Sequence, residues 1–326
     1  MTEYQAEVLV CTCGKRNVGK FPDAVTAPVQ YGDSVKSLAT YLLQQFIPKE
    51  RCAQLLSDLF HMPISDTTLM AFEEECAVNL TPVYEFLRDK LAKASIKHLD
   101  ESGLRVKKRL HWLHVLSNKL MTYYHINEKR GYFWEGLTGT VVHDHWKSYF
   151  SLSGVNHVLC NAHHLRELQA ASDMDKEPWA KEMIALLTEA LKDSKNKEEI
   201  SKRYDALIVK GIAYHENKLL PNHSHRKNAR KRKGHNLLLR LRDCKTETLR
   251  FMYEDVPFTN NQAEQDIRMI KVRQKVSGCF RSEDGAKEFA KIRSFVSTLR
   301  KQGLNLLDNL TVACREVYNP QLLSVA

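Results

Sequence analysis

The stretch Ile96-Lys97-His98-Leu99-Asp100 opens the part of the chain that decides the fold, because apolar and polar side chains begin to alternate there. Two further runs with this period, Leu110 to Leu116 and Met121 to Ile126, follow across short polar turns such as Asn118-Lys119. Alternation with a period of two is typical of half-buried β-strands. We therefore predict three consecutive strands arranged as a meander.

Two more strands are predicted downstream of this meander. Gly139 to Asp144 is an apolar run that ends at an acid, and Val155 to Cys160 leads directly into a helix that begins near Ala162. Strands interleaved with helices are typical of α/β proteins. The sequence therefore predicts an α/β core.

Helical patterns flank the predicted strands on both sides. Apolar residues recur at intervals of three and four in Ser34 to Ala94 and in Pro178 to Asn217. A later helix is expected from the capping residues Thr259-Asn260-Asn261 to about Lys275, and another from Gly285 to Gln302. The strands are thus expected to lie within a largely helical chain.

Part of the first helical region has the outline of a helix-turn-helix. Lys49 to Phe60 is followed by a short turn containing Pro63 and by a second helix that Ser65 opens. That second helix carries Asp66 and several glutamates but no arginine suited to reading bases. Recognition of a DNA groove remains an alternative, and we expect plain helical packing.

The composition is that of an ordinary globular protein of 326 residues, with 43% hydrophobic and 27% charged residues. This length corresponds to roughly two domains or one core with a large insertion. No apolar run approaches the length of a membrane span, and Met1 to Glu7 lacks the features of a signal peptide. Eight cysteines are scattered along the chain, which is typical of a reduced cytosolic protein. We therefore expect a cytoplasmic protein without a membrane partner.

The formal net charge is +10, and most of the excess lies in one segment, His223 to Arg250. A basic patch of this kind indicates a polyanionic partner, because each neutralised phosphate releases condensed counterions. A solvated basic loop is the alternative. The densest part of the segment consists of Arg226, Lys227, Arg230, Lys231, Arg232 and Lys233.

Three acids occupy positions that are suited to metal binding. Asp100 is expected at the end of the first core strand, Asp144 at the end of the fourth, and Glu264 early in a late helix. Converging carboxylates would suit two Mg²⁺ or Mn²⁺ ions, which promote in-line phosphoryl transfer. The alternative is that these acids are ordinary turn residues or helix caps.

The helix around Glu264 has two distinct faces. Ala263, Ile267, Ile270 and Gln274 form one stripe, and Glu264 shares the other with Arg268, Lys271 and Lys275. A metal ligand aligned with phosphate-binding cations is typical of nucleic-acid enzymes. An exposed pair of Glu264 and Arg268 is the simpler alternative, but it leaves the two lysines unexplained.

Five motifs occur in the order of a known family. They are His98-Leu99-Asp100-Glu101-Ser102-Gly103, Trp112-Leu113-His114-Val115, Val142-His143-Asp144-His145-Trp146-Lys147-Ser148-Tyr149, Cys160-Asn161-Ala162-His163-His164-Leu165-Arg166-Glu167-Leu168 and Asn260-Asn261-Gln262-Ala263-Glu264-Gln265-Asp266-Ile267-Arg268. Together they resemble the catalytic region of insertion sequence 66 family transposases. The resemblance extends from about Tyr31 to Leu310.

The resemblance implies an RNase H-like core with a mixed five-stranded sheet and a DDE triad of Asp100, Asp144 and Glu264. It also implies an all-helical insertion before the third acid, in agreement with the 120 residues that separate Asp144 from Glu264. The expected divisions are an extended arm with a remnant of a zinc-finger-like element (1–33), a helical N-terminal region (34–94), the first part of the core (95–172), a basic helical insertion (173–256) and the C-terminal helices of the core (257–326).

The function implied by the resemblance is that of a bacterial DNA transposase. Two Mg²⁺ or Mn²⁺ ions would support strand cleavage and strand transfer at insertion-sequence ends. The partners would be double-stranded DNA, both at the transposon ends and in the target, other copies of the chain, and accessory proteins of the same element. The protein would be associated with the nucleoid. The alternatives are an RNase H-like nuclease or resolvase and a non-catalytic DNA-binding accessory or truncated transposase. The DNA contacts are expected from the basic cluster 226–233 and from Arg268, Lys271 and Lys275.

The cysteines raise the question of zinc. Family members tend to have a longer upstream region with a zinc-finger-like element, and this chain begins close to the Cys11-Thr12-Cys13 end of it. A tetrahedral zinc site needs four ligands, and Cys11 and Cys13 have no obvious partners nearby, so we expect a remnant without a formed site. Cys160, with His163 and His164, could indicate zinc binding or a cysteine nucleophile, but no second pair of ligands accompanies them, so we expect a structural or supporting role.

Overall fold

The N-terminal arm forms a short hairpin. The computed structural model describes residues 2–131, 135–193, 195–217 and 232–324. Strand β1 (Val8–Val10) pairs antiparallel with β2 (Arg16–Val18), and every residue of both strands is exposed. The predicted arm therefore includes a regular hairpin that contributes nothing to the hydrophobic core.

Four helices follow, within the region that the sequence predicts to be helical: α1 (Asp33–Gln44), α2 (Lys49–Phe60), α3 (Asp66–Asn79) and α4 (Thr81–Lys93). The Ser65 hydroxyl caps α3 by accepting a hydrogen bond from the Thr68 N–H at 3.1 Å. The first three helices share a hydrophobic cluster that includes Leu56, Leu69 and Phe72. One apolar face of each of α2 and α3 is thus used for packing.

A mixed five-stranded sheet lies at the centre of the molecule. The strands are β3 (Ile96–Val106), β4 (Arg109–Ser117), β5 (Thr122–Asn127), β6 (Gly139–His143) and β7 (Val155–Leu159), in the order β5-β4-β3-β6-β7. The predicted meander β3-β4-β5 is antiparallel, whereas β6 and β7 are parallel to β3 and to each other. The prediction of an α/β fold is confirmed.

Strand β3 is longer than the sequence predicts. Asp100 lies inside the strand and pairs with Val115 of β4, and the β3–β4 ladder continues to Val106. The parallel ladder with β6, by contrast, ends where His98 faces Val142. The prediction that Asp100 ends the strand is therefore wrong, because the β4 hairpin extends β3 beyond the end of β6.

The remaining helices lie after the last strand. They are α5 (Asn161–Met174), α6 (Pro178–Lys192), α7 (Lys197–Asn217), α8 (Lys233–Asp243), α9 (Lys245–Leu249), α10 (Asn261–Ser277), α11 (Glu283–Lys301) and α12 (Leu306–Arg315). The predicted helical stretch from Pro178 to Asn217 is divided into α6 and α7. No helix of the described residues is long and apolar enough to cross a membrane.

The sheet is packed on both faces, and helices α5 to α9 form a separate core. One cluster joins α4, α11 and α12 to sheet residues such as Leu99 and Val141. A second places Ala263, Ile267 and Ile270 of α10 against other sheet residues, which include Val115 and Tyr124. The third core belongs to α5 through α9 and contains Trp179, Leu187, Tyr204 and Leu238. Helix α10 thus covers one face of the sheet directly.

Candidate functional site

Asp100 and Asp144 lie at the same level of the sheet, Asp100 within β3 and Asp144 directly after the neighbouring strand β6. His98 of β3 faces Val142 of β6, and each acid follows two residues further along. Asp100 Oδ1 accepts a hydrogen bond from the Glu101 N–H at 2.8 Å, and Asp144 Oδ1 accepts one from the Trp146 N–H at 2.9 Å. The carboxyl end of β6 thus brings Asp144 beside the strand that carries Asp100.

Helix α10 is attached to the same strand through Asn260. The buried Asn260 side chain donates from Nδ2 to the Leu99 carbonyl oxygen at 2.7 Å, and its Oδ1 lies 2.9 Å from His98 Nδ1. The prediction that Asn260 caps α10 with its side chain is wrong, because that side chain is used in these contacts with β3. Glu264 lies one helical turn further on, and its N–H donates to the Asn260 carbonyl oxygen at 3.2 Å.

The far end of α10 is also attached to β3. The Lys107 N–H donates to the carbonyl oxygen of Phe280 at 2.9 Å, and the Phe280 N–H donates to the carbonyl oxygen of Arg105 at 3.0 Å. The segment that contains Glu264 is therefore hydrogen-bonded at one end to β3 beside Asp100 and at the other to the end of β3 and the turn that follows it.

Asp144 and Glu264 act electrostatically on Asp100. Removal of Asp100 from water raises its pKa to about 7, and the negative charges of Asp144, Glu264 and Glu101 act in the same direction. Burial also raises the pKa of Tyr149 well above its usual value, with further contributions from Glu101, Asp100 and Asp144. The structure therefore brings Asp100, Asp144 and Glu264 into one electrostatic environment.

Glu264 has three neighbours on helix α5 or at its start. Its Oε1 lies 3.6 Å from Cys160 Sγ and 3.5 Å from His163 Nδ1, and its Oε2 lies 3.6 Å from a guanidinium nitrogen of Arg166. Cys160, His163 and Glu264 form the one group of potential metal ligands of this type found among the described residues. The sequence pointed to Cys160 and His163 but missed Glu264 as the third member, because Glu264 is about a hundred positions away along the chain.

A second acid beside Asp100 was also missed. The carboxylate of Glu101 is nearly buried, forms an ion pair with Arg130 and accepts a hydrogen bond from the Gly131 N–H at 3.0 Å. The Arg130 guanidinium lies 3.5 Å from the ring centre of Trp146 and 4.5 Å from that of Trp112. Glu101 is therefore held by protein partners. Successive side chains of a strand point to opposite faces of the sheet, so Glu101 is directed away from Asp100. This alternation is the signal in the sequence that could have distinguished the two acids.

The predicted DNA-binding residues are only partly described. Arg268, Lys271 and Lys275 are exposed on α10, and Lys271 Nζ donates to the Gly103 carbonyl oxygen at 3.1 Å. Arg232 and Lys233 lie at the start of α8. Four predicted residues lie outside the described residues: Arg226, Lys227, Arg230 and Lys231.

The predicted zinc ligands Cys11 and Cys13 are exposed in the turn of the N-terminal hairpin. The Cys11 N–H donates to the Lys15 carbonyl oxygen at 2.9 Å, so this turn is closed by the backbone. The group of potential metal ligands that the described residues contain lies elsewhere, at Cys160.

Comparison with known proteins identifies the family. No curated protein matches the chain significantly. The family model described as Transposase IS66 family matches residues 29–288, which include the whole sheet, Asp100, Asp144, Glu264 and the Cys160 motif. Because this match covers well over half of the 326 residues, the chain belongs to the transposase IS66 family.

Proposed function

We propose that the chain is a DNA transposase in which Asp100, Asp144 and Glu264 hold two Mg²⁺ or Mn²⁺ ions. The observation that carries this proposal is the placement of the acids: the register of β3 and β6 brings Asp100 beside Asp144, and Asn260 ties the start of the helix that carries Glu264 to the same strand. Like charges gathered on three separate elements repel one another, and divalent cations would relieve that repulsion. Carboxylate oxygens are the ligands that these cations prefer.

The residues fit such ions in number and in type. Asp100 and Asp144 would hold or bridge the ions from adjacent strands, and Glu264 would complete the second site from α10. When bound, the ions would activate the attacking oxygen and stabilise the leaving oxygen of an in-line displacement. Arg166 lies 3.6 Å from Glu264 Oε2, whereas Oε1 faces Cys160 and His163.

The proposed reaction has two displacement steps at phosphorus. In the first, water attacks at the transposon end, a new P–O bond forms, and the bond from phosphorus to the 3′ oxygen breaks to leave a 3′ hydroxyl. In the second, that 3′ hydroxyl attacks a phosphodiester of the target, joins to its phosphorus and releases a target 3′ hydroxyl. Each step exchanges one P–O bond for another, so no energy-supplying cofactor is needed.

The phosphates would be held by basic residues around the acids. Arg268, Lys271 and Lys275 follow Glu264 along the exposed face of α10, so they could track a strand that leaves the site. The cluster at 226–233 would bind more distant phosphates from the helical part of the chain. We propose that residues 173–256 are the helical insertion of an RNase H-like core and that the protein acts on DNA in the cytoplasm, in association with the nucleoid. On paired ends it would act as an oligomer, with accessory proteins of the element as further partners.

The test is metal-dependent cleavage of duplex DNA that carries the element's ends. Asp100→Asn, Asp144→Asn and Glu264→Gln should each lower cleavage below detection while metal-free duplex binding stays close to that of the wild type. Glu254→Gln is the control, because this acid is exposed and pairs only with the nearby Arg250 at 2.7 Å among the described residues. Normal cleavage by all three variants would refute the assignment.

A second substrate separates a transposase from a nuclease with the same ions. Ends supplied already cut, with free 3′ hydroxyls, should be joined to target DNA by the wild type. Hydrolysis without any joining would indicate a nuclease or resolvase. Binding without either reaction would indicate a non-catalytic protein.

A further inference from the structure

A second kind of metal site adjoins the three acids. Cys160 ends the connection from β7 to α5, His163 lies in the first turn of α5, and Glu264 lies in the first turn of α10. One ligand atom from each residue lies within 4.8 Å of the other two. The group therefore combines a thiol, an imidazole and a carboxylate.

Backbone hydrogen bonds hold this group together. Cys160 Sγ accepts a hydrogen bond from the Asn260 N–H at 3.1 Å, and the Asn161 N–H donates to the Phe258 carbonyl oxygen at 3.0 Å. The His163 N–H donates to the Cys160 carbonyl oxygen at 3.1 Å. These contacts fix the starts of α5 and α10 against each other, so the three side chains are positioned by rigid elements.

The spacing matches tetrahedral zinc. Ligand bonds of about 2.0 to 2.3 Å at tetrahedral angles separate neighbouring ligand atoms by about 3.3 to 3.8 Å. In the structure, Glu264 Oε1 is 3.6 Å from Cys160 Sγ and 3.5 Å from His163 Nδ1. The His163 Nδ1 atom is shielded from solvent and makes no hydrogen bond within the described part of the chain. Three ligand atoms thus face a common point.

The ligand atoms of this group favour a different metal ion from the one expected at the three carboxylates. Thiolate and imidazole favour Zn²⁺ or Co²⁺, whereas Mg²⁺ prefers oxygen. A thiol must lose its proton to ligate a metal, so ion binding displaces a proton from the Cys160 sulfur to solvent. The side chain of His163 is 38% exposed, which gives an ion a route from solvent.

We propose that Cys160, His163 and Glu264 bind one thiophilic divalent ion, with Zn²⁺ as the natural candidate and a fourth position left open. Because Glu264 Oε1 belongs to both donor sets, zinc at this site removes that oxygen from the proposed Mg²⁺ ligands and inhibits DNA cleavage. The inhibition rests on the proposed function, whereas the binding itself does not.

The binding test uses Co²⁺, whose bond to a thiolate gives a charge-transfer absorption band. The full chain would carry Cys11→Ser, Cys13→Ser and Cys279→Ser, which remove the exposed thiols. Titration should produce the band in this background, and adding Cys160→Ser should abolish it. Absence of the band from the background protein, or its persistence after Cys160→Ser, would overturn the proposal.

Two further variants test whether loss of the band reflects misfolding of the protein or binding of the ion by a different cysteine. His163→Ala changes a partly exposed residue and should weaken Co²⁺ binding about 100-fold or more, since even residues that only support a ligand change affinity by 10- to 100-fold. Cys244→Ser is the matched control, because Cys244 Sγ lies 3.3 Å from His145 Nε2 without belonging to the three-ligand group. It should retain the band, and disappearance of the band in this variant would refute the assignment to Cys160.

The inhibition test adds Zn²⁺ to Mg²⁺-supported cleavage. The zinc concentration that halves cleavage should be about 100-fold higher for His163→Ala than for the wild type, each measured against its own zinc-free rate. Equal sensitivity of the two proteins would overturn the inhibitory role. A Co²⁺ band without DNA cleavage under any condition would refute the proposed function and leave the metal site standing.

Discussion

Replacing Asn260 with alanine tests how the site is assembled. The Asn260 side chain connects α10 to β3 through His98 Nδ1 at 2.9 Å and the Leu99 carbonyl oxygen at 2.7 Å. Since Nδ2 donates to Leu99, Oδ1 accepts from His98, and the proton of the neutral imidazole therefore lies on Nδ1. Burial lowers the pKa of His98, which keeps this imidazole neutral.

The expected cost follows from the two groups that would be left without a partner. Asn260→Ala leaves the His98 N–H and the Leu99 carbonyl buried without this hydrogen bond, and each such group costs about 1 to 3 kcal/mol, so the sum is about 2 to 6 kcal/mol. The free energy of unfolding should fall by that amount in urea or guanidinium titrations followed by circular dichroism. Cleavage should fall as well, because α10 carries Glu264.

The neighbouring residue provides the control. Asn261 is exposed as the first residue of α10, and Asn261→Ala should change the free energy of unfolding by no more than about 0.5 kcal/mol. If the two alanine variants had the same stability, Asn260 would not connect the helix to the strand. Loss of cleavage in Asn261→Ala alone would contradict the reasoning equally.

The remaining predictions concern stability, pH and salt. Glu177 has a fully buried carboxylate that accepts a hydrogen bond from Trp179 Nε1 at 2.9 Å, so Glu177→Ala should lower the free energy of unfolding by about 3 to 5 kcal/mol. The exposed Glu189→Ala should lower it far less, because solvent screens its ion pair with Arg203, and equal decreases would contradict this. Burial lowers the pKa of Lys97 to about 8 from its ordinary value of 10.5, so the folded chain releases this proton before the unfolded chain does. The wild type should therefore gain about 2 to 3 kcal/mol relative to Lys97→Met between pH 8 and 10, and a constant difference would refute this. Alanine at all six basic positions of 226–233 should reduce the slope of log affinity against log salt by about 0.9 for each DNA phosphate that the variant no longer neutralises, and an unchanged slope would exclude binding of DNA by this cluster.

The sequence predicted the strands and helices more accurately than the contacts between them. The strands β3, β4 and β5 follow from alternation, because a half-buried strand must alternate to bury one face, and β6 and β7 follow from short apolar runs. The buried stripe of Ala263, Ile267 and Ile270 follows from helical spacing in the same way. These features depend on residues that are close together along the chain, so the local pattern of the sequence is sufficient to predict them.

The contacts that assemble the site depend on residues far apart along the chain. Asn260 has the residue type of a helix cap, and nothing local indicates that its side chain reaches β3 instead. The length of β3 beyond Asp100 depends on its hairpin partner β4, and the proximity of Cys160 to Glu264 depends on how two helices start. Such features require the packed structure.

The attachment of α10 to β3 at both ends has a consequence for how the protein is made. The strand that carries Asp100 emerges from the ribosome about 160 residues before the Asn260 side chain that holds it, and Phe280 emerges later still. A nascent chain that has been translated only through the basic segment therefore has Asp100 and Asp144 but lacks Glu264. During its own synthesis the polypeptide cannot bring all three acids together until Glu264 and Phe280 have been translated.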